Sequence, residues 1–351
     1  MDFEQNNNQS GSSEQHGFSS ISGPAQQKPK KSSGWKIFWG IFIVLSVMTN
    51  ILLFILLIFV GMAAALGAGT RGHFIEQVIQ EGPRTRKISV INLTGIINDE
   101  QSANIYQQLK EARIDGNIRG LIIRVNSPGG MVSSSDQIYN EIRKYRSETE
   151  KPVVAFMQGI AASGGYYASV ACDKIVAEPT TITGSVGVIM GYFVLQELLE
   201  NKLGIQPVIV KSGLKKDWPS SFRKPEDEEL QYLEDTLIKP AYERFVNIVA
   251  EGRSSLTLDE VKRLADGSIY SVQQALDEKL IDKIGYMDDA IDEVKDLAGI
   301  KNKKALVVEY KRQFSFYDFL DSRAANYLKI DRAKLYEFST PQILYLWSGF
   351  H

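Results

Sequence analysis

Apolar and polar positions divide this chain into three regimes. Residues 1 to about 34 are dominated by Asn, Gln, Ser and Gly. Their few apolar side chains cannot offset the entropy of ordering the backbone, so a flexible tail is predicted. From Ile37 to Thr70 no charged residue appears, and the run Ile41–Val60 continues an apolar stretch longer than the roughly 20 residues that cross a bilayer as a helix. A cleaved leader would carry an apolar core of roughly 7–15 residues much nearer Met1, which leaves a transmembrane helix as the reading. Beyond a Gly-rich exit and a short amphipathic linker (Phe74–Ile79), short apolar runs alternate with segments of helical period from Lys87 onward, the mark of an α/β domain.

Within that third regime Ile88–Leu93 reads as a strand, Gln101–Arg113 as a helix and Gly120–Val125 as a buried strand. Ser133–Arg146 is helical, Val153–Met157 is a strand, and Ser163 opens a further helix. Strand-like runs recur over Lys174–Ala177, Thr181–Met190 and Pro207–Lys211. Helices dominate from Pro225 to Gly299, and Ala305–Tyr310 is a late strand. No internal repeat is visible. The expected divisions are a cytoplasmic tail over 1–34, a transmembrane region over 35–68, a linker over 69–86, the folded domain over 87–312, and a C-terminal segment over 313–351 without an assigned role.

Charge orients the span. Lys28, Lys30, Lys31 and Lys36 precede it and Arg71 is the first charge after it, so the positive-inside rule puts the tail in the cytoplasm and the folded domain on the outer side of the cell membrane. Trp35 and Trp39 suit the aromatic belt at the interface. A formal net charge of -2, with basic residues dispersed, gives no field that would gather nucleic acid. The single cysteine, Cys172, lies in the apolar run Ala168–Cys172 and reads as a buried small hydrophobe.

Two glycine-marked elements stand where strands end: Asn126-Ser127-Pro128-Gly129-Gly130 and Gly159-Ile160-Ala161-Ala162-Ser163-Gly164-Gly165-Tyr166-Tyr167. Sites of α/β sheets gather at the carboxyl ends of strands. A serine at a first helical turn would have the free backbone N–H of Gly164 beside it. With an N–H from the Gly129-Gly130 turn this would make an oxyanion hole, while ordinary turn formation and tight helix packing are the plainer readings of the same residues. A base is harder to find. The three histidines are His16, His73 and His351, in the tail, beside the span and at the last position, so a Ser-His-Asp triad and a metal site both lack side chains. Lysine remains, provided burial lowers its pKa so that it is neutral near pH 7. Lys211 ends the apolar run Pro207–Val210 and is expected as a buried strand-terminal lysine; Lys215 and Lys216 sit in more polar company and read as solvated.

From about Ile88 to Met287 the chain resembles the signal peptide peptidase A family. The resemblance is carried in order by Asn126–Gly130, Ala162–Tyr167, Thr183-Gly184-Ser185-Val186-Gly187-Val188, Lys211-Ser212-Gly213 with Lys216-Asp217, and the stretch Phe222–Arg253. It implies a crotonase-like (caseinolytic-protease-like) α/β fold of ββα-type repeats and a serine peptidase that degrades signal peptides left in the membrane. Ser163 matches the nucleophile and Lys211 the base. Ser185 or Thr183 would orient the lysine, and no cofactor or metal is required. Longer members carry two repeats and split nucleophile and lysine between them, so a homo-oligomeric ring is expected here. Tyr242, Phe245, Phe316 and Tyr317 are candidates for its interface or for the core. Two rival readings are an acyl-CoA enzyme of the crotonase superfamily and a non-catalytic membrane scaffold.

Overall fold

The structure is a computed structural model that describes residues 34–67, 74–301, 303–312 and 342–347. The chain divides into two units, Met1–Arg71 and Gly72–His351. In the first, α1 (Gly34–Gly67) is a single continuous helix whose one charged residue is Lys36 near its start, and its Gly34–Met62 part is long and apolar enough to cross a membrane. The tail before it lies outside the described residues.

The second unit begins with β1 (Phe74–Gln80), β2 (Lys87–Thr94), α2 (Asp99–Ile114), β3 (Ile118–Ser127), β4 (Gly129–Met131), α3 (Val132–Thr149), β5 (Val153–Ala162) and α4 (Gly164–Ser169). It continues through β6 (Lys174–Ala177), β7 (Ile182–Gly184), β8 (Ile189–Gly191), α5 (Asp227–Leu233), α6 (Lys239–Gly252), α7 (Leu258–Leu264) and β9 (Ile269–Ser271). The last elements are α8 (Val272–Asp277), β10 (Lys283–Ile284), α9 (Met287–Leu297), β11 (Leu306–Arg312) and β12 (Gln342–Leu346).

The main sheet runs β1-β11-β2-β3-β5-β6-β10, with β7 paired to the far end of β5 and β9 to β7. From β11 to β10 every neighbour is parallel; β1 is added antiparallel at the β11 edge, and β9 pairs antiparallel with β7. Parallel strands covered on both faces read as unbroken apolar runs, because successive side chains point to opposite layers and both layers are dry. In β3, Leu121, Ile123 and Val125 enter the layer containing α2, α3 and α4, while Ile122 enters the layer against α9. β5 alternates in the same way, with Val153, Ala155 and Met157 on one side and Val154 and Phe156 on the other. Asn98 caps α2 by accepting from the Gln101 N–H at 2.9 Å, which fixes where the chain leaves β2 and turns back.

Three sequence expectations need correction. Phe74–Ile79 is not an amphipathic linker but part of the edge strand β1, in register with β11 from Phe74↔Arg312 to Val78↔Val308 and bulged at Ile79. Thr181–Met190 is two short strands broken at Ser185, whose φ of 51° no continuous strand allows. Pro207–Lys211 forms no strand: its apolar side chains face outward, with Val208 82% and Val210 96% exposed, so no neighbouring strand covers them. The C-terminal segment also carries structure. β12 lies between β4 and β8 as the middle strand of a small antiparallel sheet.

Candidate active site

Ser163 stands between β5 and α4, at φ 54° and ψ −117°. A non-glycine residue held there costs on the order of 1–3 kcal/mol and persists only where its surroundings over-determine it. They do so here. The Ser163 N–H donates to the Gly184 carbonyl at 2.8 Å, and its own carbonyl accepts from Tyr167 N–H at 2.8 Å, locking the turn between β7 and the first turn of α4. Ser163 is 1% exposed. α4 has only six residues, so its macrodipole contributes little and the polarity of the place comes from individual backbone groups.

The glycines expected to form the oxyanion hole are brought together. A Cβ on Gly164 would lie 3.1 Å from Gly129 Cα, 3.2 Å from Gly130 N and 2.5 Å from Ser135 Oγ, so only glycine fits. Within the trio the N–H groups differ. That of Gly129 donates to Ser127 Oγ at 3.1 Å and is committed, which leaves Gly130 and Gly164 as the candidate pair.

A chain segment already lies across this spot. β12 pairs with β4 in the register Leu346↔Gly129, Tyr345↔Gly130 and Leu344↔Met131. A Cβ on Gly129, whose φ is +100°, would lie 2.0 Å from the Tyr345 carbonyl oxygen and 2.7 Å from Gly164 N. The Tyr345 carbonyl and the Gly164 N–H therefore share one side of the Gly129 backbone, immediately beside Ser163. The tyrosine ring fills an aromatic slot, 4.9 Å from Tyr167 (stacked) and 4.7 Å from Phe245 between centroids, and its hydroxyl donates to the Ala241 carbonyl at 2.8 Å. Tyr167 is held in turn by donating to Asp136, which also accepts from Arg244. Burial pushes the Tyr167 and Tyr345 phenols well above the usual range, so both stay neutral and the slot is uncharged. Next to it, Ser185, Val188, Ile189, Tyr242, Asp266 and Leu346 line a cavity of about 290 Å³.

Lys211 differs most from expectation. It lies on the irregular segment between β8 and α5, exposed rather than buried, and its Nζ donates to Asp217 at 2.7 Å and to the Leu214 carbonyl at 3.1 Å. The Lys211 ammonium, assisted by Arg223 at 3.5 Å, holds the Asp217 carboxyl below the usual carboxylate range. Lys215 is engaged with aromatic faces, 5.0 Å from Trp218 and 4.1 Å from Tyr232. Lys216, on the same turn Leu214–Asp217, is exposed and makes no side-chain hydrogen bond or ion pair among the described residues. Of the two orienting candidates, the Thr183 hydroxyl donates to the Ala161 carbonyl at 2.6 Å and is spent inside the sheet. Ser185 follows Gly184, the residue that holds Ser163, and faces the 290 Å³ cavity. Phe245 belongs to the slot, Tyr242 to the cavity wall, and Phe316 and Tyr317 lie outside the described residues.

The sequence reading missed the aromatic slot and its occupant. The apolar run Ile343–Trp347, isolated near the C-terminus, was the available signal.

Comparison with known proteins places the chain in a family. Residues 145–301 match the model of peptidase family S49, and residues 76–181 match that of Clp protease, so Ser163 falls in both. A protein of Enterococcus faecium bearing the name signal peptide peptidase SppA is 39% identical over 250 residues, covering 67% of this chain and 70% of that one. A protein of Methanocaldococcus jannaschii named as a protease is 33% identical over 271 residues, 74% of this chain and 84% of that one. The chloroplastic serine protease SPPA of Arabidopsis thaliana is 34% identical over 250 residues, which are 70% of this chain but 36% of the plant protein.

Proposed function

This chain belongs to peptidase family S49 and is a serine peptidase with a Clp-protease-like α/β domain, and from that membership we propose that Ser163 cleaves extended apolar peptides, remnant signal peptides foremost, with a lysine as its base. One observation carries the reading: an extended segment of the chain itself, β12, crosses the glycine pair with a carbonyl beside the strained serine. Addition of a strand to β4 and β8 is how an extended peptide would be gripped, through main-chain hydrogen bonds that read no sequence. The slot formed by Tyr167 and Phe245 then selects an aromatic or large apolar side chain at the residue whose carbonyl is attacked.

In the proposed reaction the Ser163 hydroxyl attacks that carbonyl as the lysine amine takes its proton. Gly130 and Gly164 N–H groups stabilise the oxyanion, and the leaving amine receives the proton from the lysine. Water repeats the sequence on the acyl-enzyme. Ser185, beside the cavity, is the group we assign to orient the amine. The base comes from the stretch Lys211 to Asp217. Lys211 has its charge committed to Asp217 and Lys215 to two rings, which favours Lys216 over Lys211.

Neither Lys211 nor Lys216 hydrogen-bonds Ser163 within the described chain, and the segment leading to them exposes Phe193, Val208 and Val210. Both facts support a homo-oligomeric ring in which the lysine of one subunit serves Ser163 of its neighbour, closed by rotation about one repeated interface. The chain's apolar helix supports membrane association; we assign its N-terminus to the cytoplasm and the catalytic unit to the outer surface. A decisive experiment compares hydrolysis of an apolar fluorogenic peptide by wild type, Ser163→Ala, Lys211→Ala and Lys216→Ala. Loss in Ser163→Ala and Lys216→Ala is the expected result. Full activity in Ser163→Ala would end the serine assignment, and loss in Lys211→Ala with activity retained in Lys216→Ala would return the base to Lys211.

A further inference from the structure

Lys216 is followed directly by a carboxylate, Asp217. An unopposed carboxylate next to an amine stabilises the ammonium and would keep a base protonated near neutral pH. The structure answers this with two cations. Lys211 spans the turn Leu214–Asp217 from end to end, donating to the carbonyl of its first residue at 3.1 Å and to the carboxylate of its last at 2.7 Å. Arg223 approaches the other Asp217 oxygen at 3.5 Å and is itself anchored at 2.6 Å by Glu229, a carboxylate with no exposed side-chain surface.

We propose that Lys211 is a positioning residue for the base: with Arg223 it ties Asp217 away from Lys216, and its charge favours the neutral amine there. This rests on the reading of Lys216 as base. The charged groups around the turn are Lys211, Lys215 and Arg223 against Asp217 and Glu229, a net charge of +1 before Lys216 is counted. Removing the Lys211 charge brings that sum to zero and also frees Asp217 to bind the Lys216 ammonium. Both changes act in the same direction: the proton is held more tightly, and a higher pH is needed to release it. Lysine beside other cations is one of the general ways an amine is activated.

The test uses the full chain, including α1, in detergent micelles, and follows kcat/KM on an apolar fluorogenic peptide from mildly acidic to strongly alkaline pH. Lys211→Gln should move the midpoint upward by about half to one pH unit, the scale of losing one unit charge several ångströms away in a partly solvated site. Activity near pH 7 should then fall roughly three- to tenfold and recover at alkaline pH. Lys211→Arg should keep the wild-type midpoint. Adding Asp217→Asn to Lys211→Gln should carry the midpoint back toward wild type, since the unopposed carboxylate is then gone. An unshifted midpoint in Lys211→Gln, at whatever rate, would overturn the proposal while leaving Lys216 as base. A Lys211→Gln enzyme dead at every pH beside an active Lys216→Ala enzyme would instead overturn the reading beneath it. Should Lys211→Gln fail to fold, Lys211→Met, which keeps the side-chain length without the charge, decides: a raised midpoint is the expected result, and an unshifted midpoint refutes the proposal.

Discussion

Tyr345 is the residue through which the occupied groove can be opened. Its side chain is fully buried between Tyr167 and Phe245, with its hydroxyl on the Ala241 carbonyl. Truncation of a buried aromatic costs about 3–5 kcal/mol, and here the loss combines apolar burial, ring stacking and one hydrogen bond. The gross attraction holding β12 is larger than its net docking energy, because ordering five strand residues costs about 1–2 kcal/mol each. A loss of about 3–5 kcal/mol therefore exceeds what a short docked strand can spare, and in Tyr345→Ala the segment should leave the groove most of the time. Cleavage of an added apolar peptide should rise by at least about tenfold, since each 1.4 kcal/mol is a factor of ten in the open population. Amide exchange at Gly130, which loses its partner on β12, should accelerate in parallel, while the Met131 N–H, bonded to the Ile97 carbonyl, should stay protected. The melting temperature should change little, because only the net docking energy is lost from the fold. If the melting temperature instead falls by the full amount and peptide cleavage does not rise, Tyr345 is ordinary core and the groove reading is refuted.

Ser163→Ala and Lys216→Ala should each lower peptide cleavage by at least about 10³-fold, and the double variant should be no worse than either, as expected of residues acting in one step; additive losses in kcat would contradict a shared role. Assemblies formed from equal amounts of Ser163→Ala and Lys216→Ala subunits should regain roughly a quarter of the sites if serine and lysine come from different subunits, whereas verified mixed assemblies without activity would reject the shared site. Asp282 accepts from Arg253 at 2.8 Å and from the Ile175 N–H at 2.8 Å, tying the start of β10 to β6 and to the end of α6. Burial pushes its carboxyl up, but the hydrogen bond and charge of Arg253 outweigh that and hold it below the usual range. Its stabilisation is present above the ordinary carboxylate pKa of about 3.9 and is lost as pH falls through the depressed native value. Acid denaturation should thus begin at higher pH in wild type than in a chain where this pair is replaced by an isosteric neutral one, and identical acid midpoints would discount the pair.

Much of the sheet was legible because each parallel strand is buried twice. Runs such as Leu121-Ile122-Ile123 and Val153-Val154-Ala155-Phe156-Met157 fit a strand covered on both faces, and their short length, β-branched residues and preceding Gly120 and Pro152 favour it over a buried helix. Pro207-Val208-Ile209-Val210 carries the same pattern and forms no strand. Composition cannot tell an apolar run that faces a sheet from one that faces another molecule, since both are solutions to the same need to leave water. Val210, 96% exposed in the isolated chain, is what a surface awaiting a partner would look like. β1 failed in the opposite sense: its mixture of Glu76, Gln77 and Gln80 with Ile75 and Val78 looks like a linker, and only pairing with β11 across more than 200 intervening residues makes it a strand.

The site divides along the same line. Ser163, Gly164, Gly129 and Gly130, the residues proposed for the site, could be singled out because backbone geometry demands their types: a strained elbow, and glycines where a Cβ would meet another backbone. Such demands are local and leave a trace in the sequence. Lysines impose no such demand, so Lys211, Lys215 and Lys216 were separable only by what each touches: Asp217, two aromatic rings, and no charged partner among the described residues. An apolar stretch before Lys211 suggested burial, yet the functional requirement is a neutral amine. Neighbouring cations push an exposed amine in the same direction as burial does in the interior, by less per group. On the proposal made above, Lys211, the residue that looked most like a base, serves instead to keep a carboxylate away from one.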